Sequence, residues 1–149
     1  AFPLFAEVLS NRTPEVIVSP DAGSMSRARQ LAKLFRPQPE VAMVEKFRPR
    51  PNVAIAKRLH GDVRRKDVLV VDDIIDTGGT VAEAVRLIAQ HGSGRIQIAA
   101  THGIFSGDAR ERLSTLPIER ILVTNTLPQA PDPRTHVLDI VPLLLRKIA

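Results

Sequence analysis

A chain of 149 residues and 16.3 kDa, 44% hydrophobic and 25% charged, has the size and composition of about one globular domain, which excludes a disordered tail, a fibrous repeat and a multidomain machine. Zero cysteines exclude disulfides, thiolate metal sites and a cysteine nucleophile, and the absence of Trp and Tyr removes the aromatic platforms that stack single-stranded nucleic acid. A net charge of +5 points to an anionic partner, and no apolar run approaches the roughly 20 residues of a membrane helix.

The chain opens Ala1-Phe2-Pro3-Leu4-Phe5 without an initiating Met or a basic leader, so we expect a piece of a longer protein and no signal peptide. Val16 to Ser19 reads as a strand, and Met25, Ala28, Ala32 and Phe35 recur at helical spacing, predicting a helix over about 22–36 that Pro37 stops. Val41 to Val44 is the next strand. Lys46 to Asn52 holds two prolines and three basic residues and reads as an exposed, mobile loop, with a short irregular strand over 55–63 behind it. Val68 to Val71 is apolar without alternation, as expected of a central strand buried on both faces. A helix over about 79–91 follows, with Gly92 just past its end. Strands over 96–101 and 121–126 flank a short helix over 107–114, Pro128 to Pro133 is a loop, and 137–148 closes as a helix interrupted near its start by Pro142. Strands alternating with helices predict an α/β domain: a doubly wound, mainly parallel sheet of about five strands.

The chemistry concentrates in Val68 to Thr80. A buried strand delivers Asp72 and Asp73 at its C-terminal end, where open α/β sheets bind ligands. Asp76-Thr77-Gly78-Gly79-Thr80 then turns into a helix N-terminus. Gly78 and Gly79 let backbone approach an anion, first-turn N–H groups and the helix dipole supply donors, and Thr77 and Thr80 add hydroxyls, which together make a phosphate cradle. Asp72 and Asp73 would repel a phosphate. They suit the hydroxyls of a sugar, directly or through a hard cation such as Mg²⁺. A 5-phosphorylated ribose satisfies both halves. A Walker A loop does not fit, because Gly79 stands where it needs a Lys. Eight of the 21 Lys and Arg residues lie between Lys46 and Lys66 against one acid, Asp62, consistent with a phosphate-rich ligand and, less well, with nucleic acid.

VVDDIIDTGGT resembles the ribose 5-phosphate and PRPP-binding motif of the type I phosphoribosyltransferase fold. Three further segments are similar to those of ribose-phosphate diphosphokinases: Val18 to Gly23 with Arg27-Ala28-Arg29, the KFRPRPN run from Lys46 to Asn52, and Ala100 to Gly107 (ATHGIFSG). The resemblance runs from Phe2 to about Leu144 and covers only that family's C-terminal half. It implies that the 1-hydroxyl of ribose 5-phosphate attacks the β-phosphorus of ATP to give PRPP and AMP, with Lys46 and Arg48 closing over the phosphates as catalytic cations. It implies Mg²⁺ held at Asp21, a cytoplasmic location and a homo-oligomer, dimers built into hexamers, and it leaves this fragment inactive without its N-terminal half.

Other readings of the same residues stay open. Asp21 also suits a helix N-cap, and Lys46 and Arg48 a solvated basic loop. Ser24 replaces the family's second glycine and Phe47 a position that is often basic, which fits a non-catalytic associated homologue; a free-standing PRPP-dependent transferase would need a hood over the base for which no segment is seen. His102 reads as structural, His60, His91 and His136 lack metal-ligand spacing, at most one of Arg27 and Arg29 reaches a ligand, and Arg110 and Arg112 read as solvated.

Overall fold

Four consecutive buried residues place β1 (Val16–Ser19) in the interior of the sheet, since a strand covered on both faces is buried throughout. The computed structural model describes residues 1–47, 49–51 and 56–148. Along the chain β1 is followed by β2 (Glu40–Phe47), β3 (Ala56–His60), β4 (Val68–Ile75), β5 (Ile96–Gly103), β6 (Ile118–Thr124) and β7 (Thr135–Leu138), and in space the order is β3-β2-β1-β4-β5-β6-β7. All neighbours are parallel except β3, which folds back antiparallel on β2.

The alternation of side chains along β4 shows how the layers form. Leu69 and Val71 pack with Ile17 against α1 (Phe2–Val8) and α2 (Met25–Ala32), where Phe5, Leu31 and Phe35 are buried. Val68 and Val70 face the opposite way, onto Val81, Val85 and Ile88 of α3 (Gly79–Gln90) and Leu113 of α4 (Ala109–Ser114). The same alternation, carried two residues further, turns Asp72 toward α3 and Asp73 toward α2. β2 and β4 leave β1 on opposite sides, so the turns that follow β1 and β4 diverge at the sheet's C-terminal edge and open a crevice between them.

Several boundaries move. The α/β class and parallel core hold, but the sheet has seven strands, not about five. The helix expected over 22–36 is a single turn over Ala22–Ser24 continued by α2, which ends at Ala32. The strand before the basic segment runs on to Phe47, so Lys46 belongs to β2, paired across from Lys57, and not to a loop; the strand opposite it is regular rather than irregular. Hairpin pairing supplies an extended partner that no single-strand pattern shows. The final helix splits into β7 and α5 (Val141–Ile148): four residues at a sheet edge, half exposed, are too short for their period to be read, while the hydrogen bonds of β6 recruit them. α1 carried no sequence signal beyond its apolar run. The end of α3 stands as expected, with Gly92 at φ +74°.

Because Leu69 is fully buried between the α1/α2 layer and the sheet, Leu69→Ala is expected to reduce unfolding free energy by about 2–5 kcal/mol. Urea denaturation followed by far-UV circular dichroism measures it; an unmoved midpoint would contradict this packing.

Candidate functional site

Beyond β4 the chain makes a tight bend and enters α3 through Gly78, whose φ of +71° is strained for any residue with a Cβ. Gly79 has no such backbone demand. A Cβ built there would meet only Thr77 Oγ1, at 3.7 Å, so the fold itself does not require glycine at 79 and the missing side chain leaves open space. No side chain caps α3, and its first helical bond is donated by the Ala82 N–H to the Gly78 carbonyl at 2.8 Å. The N–H groups of Gly79, Thr80 and Val81 therefore point out of the helix start without helical acceptors. They border a pocket of about 120 Å³ lined by Asp72, Ile74, Ile75 and the turn 76–81. A helix of this length adds roughly half a positive charge at that end, favourable to an anion.

The bend is stapled from the β5–α4 junction. The N–H groups of Ile104 and Phe105 both donate to the Ile75 carbonyl, at 2.9 and 3.1 Å, and the Ser106 N–H donates to the Asp76 carbonyl at 3.1 Å. The Ser106 hydroxyl donates to Asp76 Oδ1, drawing that carboxylate toward the junction. Arg112 donates through Nη1 to the Thr77 carbonyl. Arg112 is thus a support of the cradle, and Arg110 lies 4.4 Å over the Phe105 ring and pairs with Asp132 at 3.4 Å; neither is the freely solvated arginine expected. Their helix is too short for its faces to be read from spacing.

Asp72 and Asp73, adjacent in sequence, part company. Asp72 is 8% exposed and enters the pocket, where Oδ1 accepts the Ser24 hydroxyl at 2.8 Å and the Asp73 N–H at 2.9 Å. Asp73 pairs with Arg27 of α2 at 2.5 Å; Arg27 also donates to the Gly23 carbonyl at 3.2 Å. Burial raises the Asp72 pKa above its ordinary value, the bonds from Ser24 and the Asp73 N–H pull it down, and the neighbouring Asp73 carboxylate adds to the rise. On the far side of the crevice Asp21 caps the turn after β1, its Oδ1 accepting the Ser24 N–H at 2.9 Å.

Lys46 lies outside this pocket. Its ammonium is 3.1 Å from Glu83 on α3, and Lys57 holds the other Glu83 oxygen at 3.0 Å, so one helix carboxylate ties both arms of the β2–β3 hairpin. Burial works to raise Glu83, but the two lysines outweigh it and hold the carboxyl below its usual value. Phe47 sits under the Arg58 guanidinium at 4.7 Å. Arg48 lies outside the described residues. His102 meets Thr126 Oγ1 at 2.8 Å, consistent with a structural role at the junction. Sequence reasoning missed Ser24 as a ligand of Asp72, Arg112 and Glu83; only Ser24 left a trace, as a departure from the pattern of its segment.

Among the described residues no group of three or more His, Asp or Glu gathers around a metal position. The donors at the crevice are all oxygens, of Asp21 and Asp72. That set fits Mg²⁺, which keeps most of its waters and takes one or two carboxylates together with substrate phosphates. No described helix is long and apolar enough to cross a membrane.

The phosphoribosyl transferase domain model matches residues 3–121. Ribose-phosphate pyrophosphokinases of Corynebacterium efficiens and Aquifex aeolicus are 43% and 44% identical, over 90% and 87% of this chain. The chain spans 42% of the length of each. Among solved structures it is similar to phosphoribosylpyrophosphate synthetase from Mycobacterium smegmatis, with a TM-score of 0.83 and 36% identity over 99% of this chain and 47% of that one. The adenine phosphoribosyltransferase of Giardia lamblia, 16% identical with a TM-score of 0.67 over 82% of this chain and 75% of that one, shares the fold.

Since its pKa is raised on folding, Asp72 contributes stability that is present at low pH, where it is protonated, and lost as the pH rises through the raised value. Asp72→Asn is therefore expected to melt higher than the parent chain near pH 7 without ligand, with the gap closing toward pH ~4. Thermal scans across that range test it; parallel curves would refute the sign.

Proposed function

Because the chain belongs to the phosphoribosyl transferase domain family and is similar over most of its length to ribose-phosphate pyrophosphokinases, we propose that it forms the ribose 5-phosphate half of an enzyme that makes PRPP. One observation carries the reading: an uncapped helix start with a dispensable glycine faces, across one small pocket, a buried carboxylate on a neighbouring strand. The 5-phosphate is held by the N–H groups of Gly79, Thr80 and Val81 with the Thr77 and Thr80 hydroxyls, and Asp72 accepts from the pentose hydroxyls. Asp73, paired with Arg27, steadies the turn after β1. Asp76 accepts from the Ser106 hydroxyl, which orients its carboxylate toward the β5–α4 junction.

The reaction joins the pentose O1 to the β-phosphorus of ATP, breaks the bond from that phosphorus to the oxygen of AMP, and releases the hydroxyl proton. Transfers of this type are accelerated mainly by alignment and by cations aimed at developing charge. Lys46 supplies such a cation once it leaves Glu83, and Arg48 is assigned the same task from its place in the segment. Mg²⁺, when bound, neutralises the phosphate oxygens. Asp21 would hold it. The adenine site and the remaining contacts belong to the rest of the enzyme, a cytoplasmic homo-oligomer in this proposal.

Calorimetry of this chain with ribose 5-phosphate and Mg²⁺ is expected to give binding that Thr80→Ala and Gly79→Ala weaken at least tenfold. Gly79→Ala should leave the melting temperature of the free chain unlowered, whereas Gly78→Ala should lose about 1–2 kcal/mol of stability because of its positive φ. Undetectable binding by the parent chain would sink the assignment. In the full-length enzyme Lys46→Ala is expected to lower kcat by about 10²–10³, measured by PRPP formation, while leaving ribose 5-phosphate binding to this chain intact.

A further inference from the structure

We propose that Ser24 is the positioning residue of the ribose site: its hydroxyl fixes the Asp72 carboxylate so that Oδ2 is the oxygen offered to the pentose. The inference rests on the assignment of the pocket to ribose 5-phosphate and adds the residue that sets its affinity.

Ser24 stands at the turn after β1, across the crevice from Asp72, 48 positions away in sequence. Its backbone, at φ −90° and ψ −1°, makes no left-handed demand, so nothing in the turn calls for glycine and a side chain costs no strain. That side chain is not a surface ornament. Ser24 is 2% exposed, its hydroxyl donates to Asp72 Oδ1 at 2.8 Å, and its N–H donates to Asp21 Oδ1 at 2.9 Å. One residue therefore binds a carboxylate on each side of the crevice.

Two donors converge on Asp72 Oδ1, the Ser24 hydroxyl and the Asp73 N–H, and this selects one orientation of the carboxylate. Oδ2 makes no hydrogen bond among the described residues, and Asp72 lines the pocket. The oxygen left over is the one an incoming hydroxyl meets. Without the Ser24 hydroxyl, Oδ1 keeps a single donor from its own chain neighbour, the carboxylate gains rotational freedom, and part of the binding free energy is spent on orienting it again. Ser24 does not touch substrate in this arrangement; it acts through Asp72.

A double-mutant cycle on this chain, read by calorimetry with ribose 5-phosphate and Mg²⁺, separates that role from a general effect on the turn. Ser24→Ala is expected to weaken affinity about tenfold in the parent background and less than about twofold when Asp72→Asn is already present. Ser24→Gly, tolerated by any backbone, should repeat the loss if the alanine variant fails to melt cooperatively. Ser24→Ala binding as tightly as the parent, or losing the same factor with and without Asp72→Asn, overturns the proposal and leaves the ribose assignment standing. A parent chain that does not bind ribose 5-phosphate removes the assignment itself, and the proposal with it.

Discussion

Parallel pairing of β1 with β4 is the constraint on which the site depends. Strands that run the same way deliver their C-terminal turns to one edge, and a chain that continues from β1 to one side and resumes on the other must leave a gap there. Into that gap the turn after β1 brings Asp21 and Ser24, and the turn after β4 brings Asp72 and the start of α3. Register matters at the level of single residues. Val18 lies beside Val70, so the first turn leaves β1 where β4 still has several residues to run, and Ser24 can reach back to Asp72.

The three carboxylates near the start of α3 have different partners. Asp72 keeps its place through hydrogen bonds and burial, Asp73 pairs with Arg27 of α2, and Asp76 accepts from the Ser106 hydroxyl. The helix start adds partial positive charge from backbone dipoles, which acts at short range and needs no side chain. The helix itself is held from behind by Arg112 and by the junction after β5, which keeps the cradle's donors aligned before any ligand arrives. Lys46, in contrast, is held away by Glu83. A lysine-carboxylate contact of this kind, a third exposed on each side, is weak.

The uncapped start of α3 was legible because its parts are contiguous: the apolar run of β4, the glycines and the threonines are read in order, and the alternating pattern of strands and helices announces the sheet. The acid pair was legible as two adjacent carboxylates but not in its separate contacts, with Ser24 and with Arg27, because period-2 geometry operates there only if the strand continues to Ile75, and the sequence after Val71 turns polar as though it had ended. Lys46 was misplaced for a related reason. Prolines at 49 and 51 mark a break, but pairing with β3 extends β2 up to Phe47 before it.

What the linear order of residues determines here is local: which runs are apolar enough to be covered, where glycine frees a bend, and which donors a helix start exposes. These follow from side-chain volume, polarity and backbone freedom within a few positions. Tertiary structure alone decided that Ser24 binds Asp72, that Arg27 takes Asp73, that Arg112 supports Thr77 and that Glu83 holds two lysines. Each of these contacts joins residues on different elements, and its existence depends on strand order and register, which no local pattern encodes.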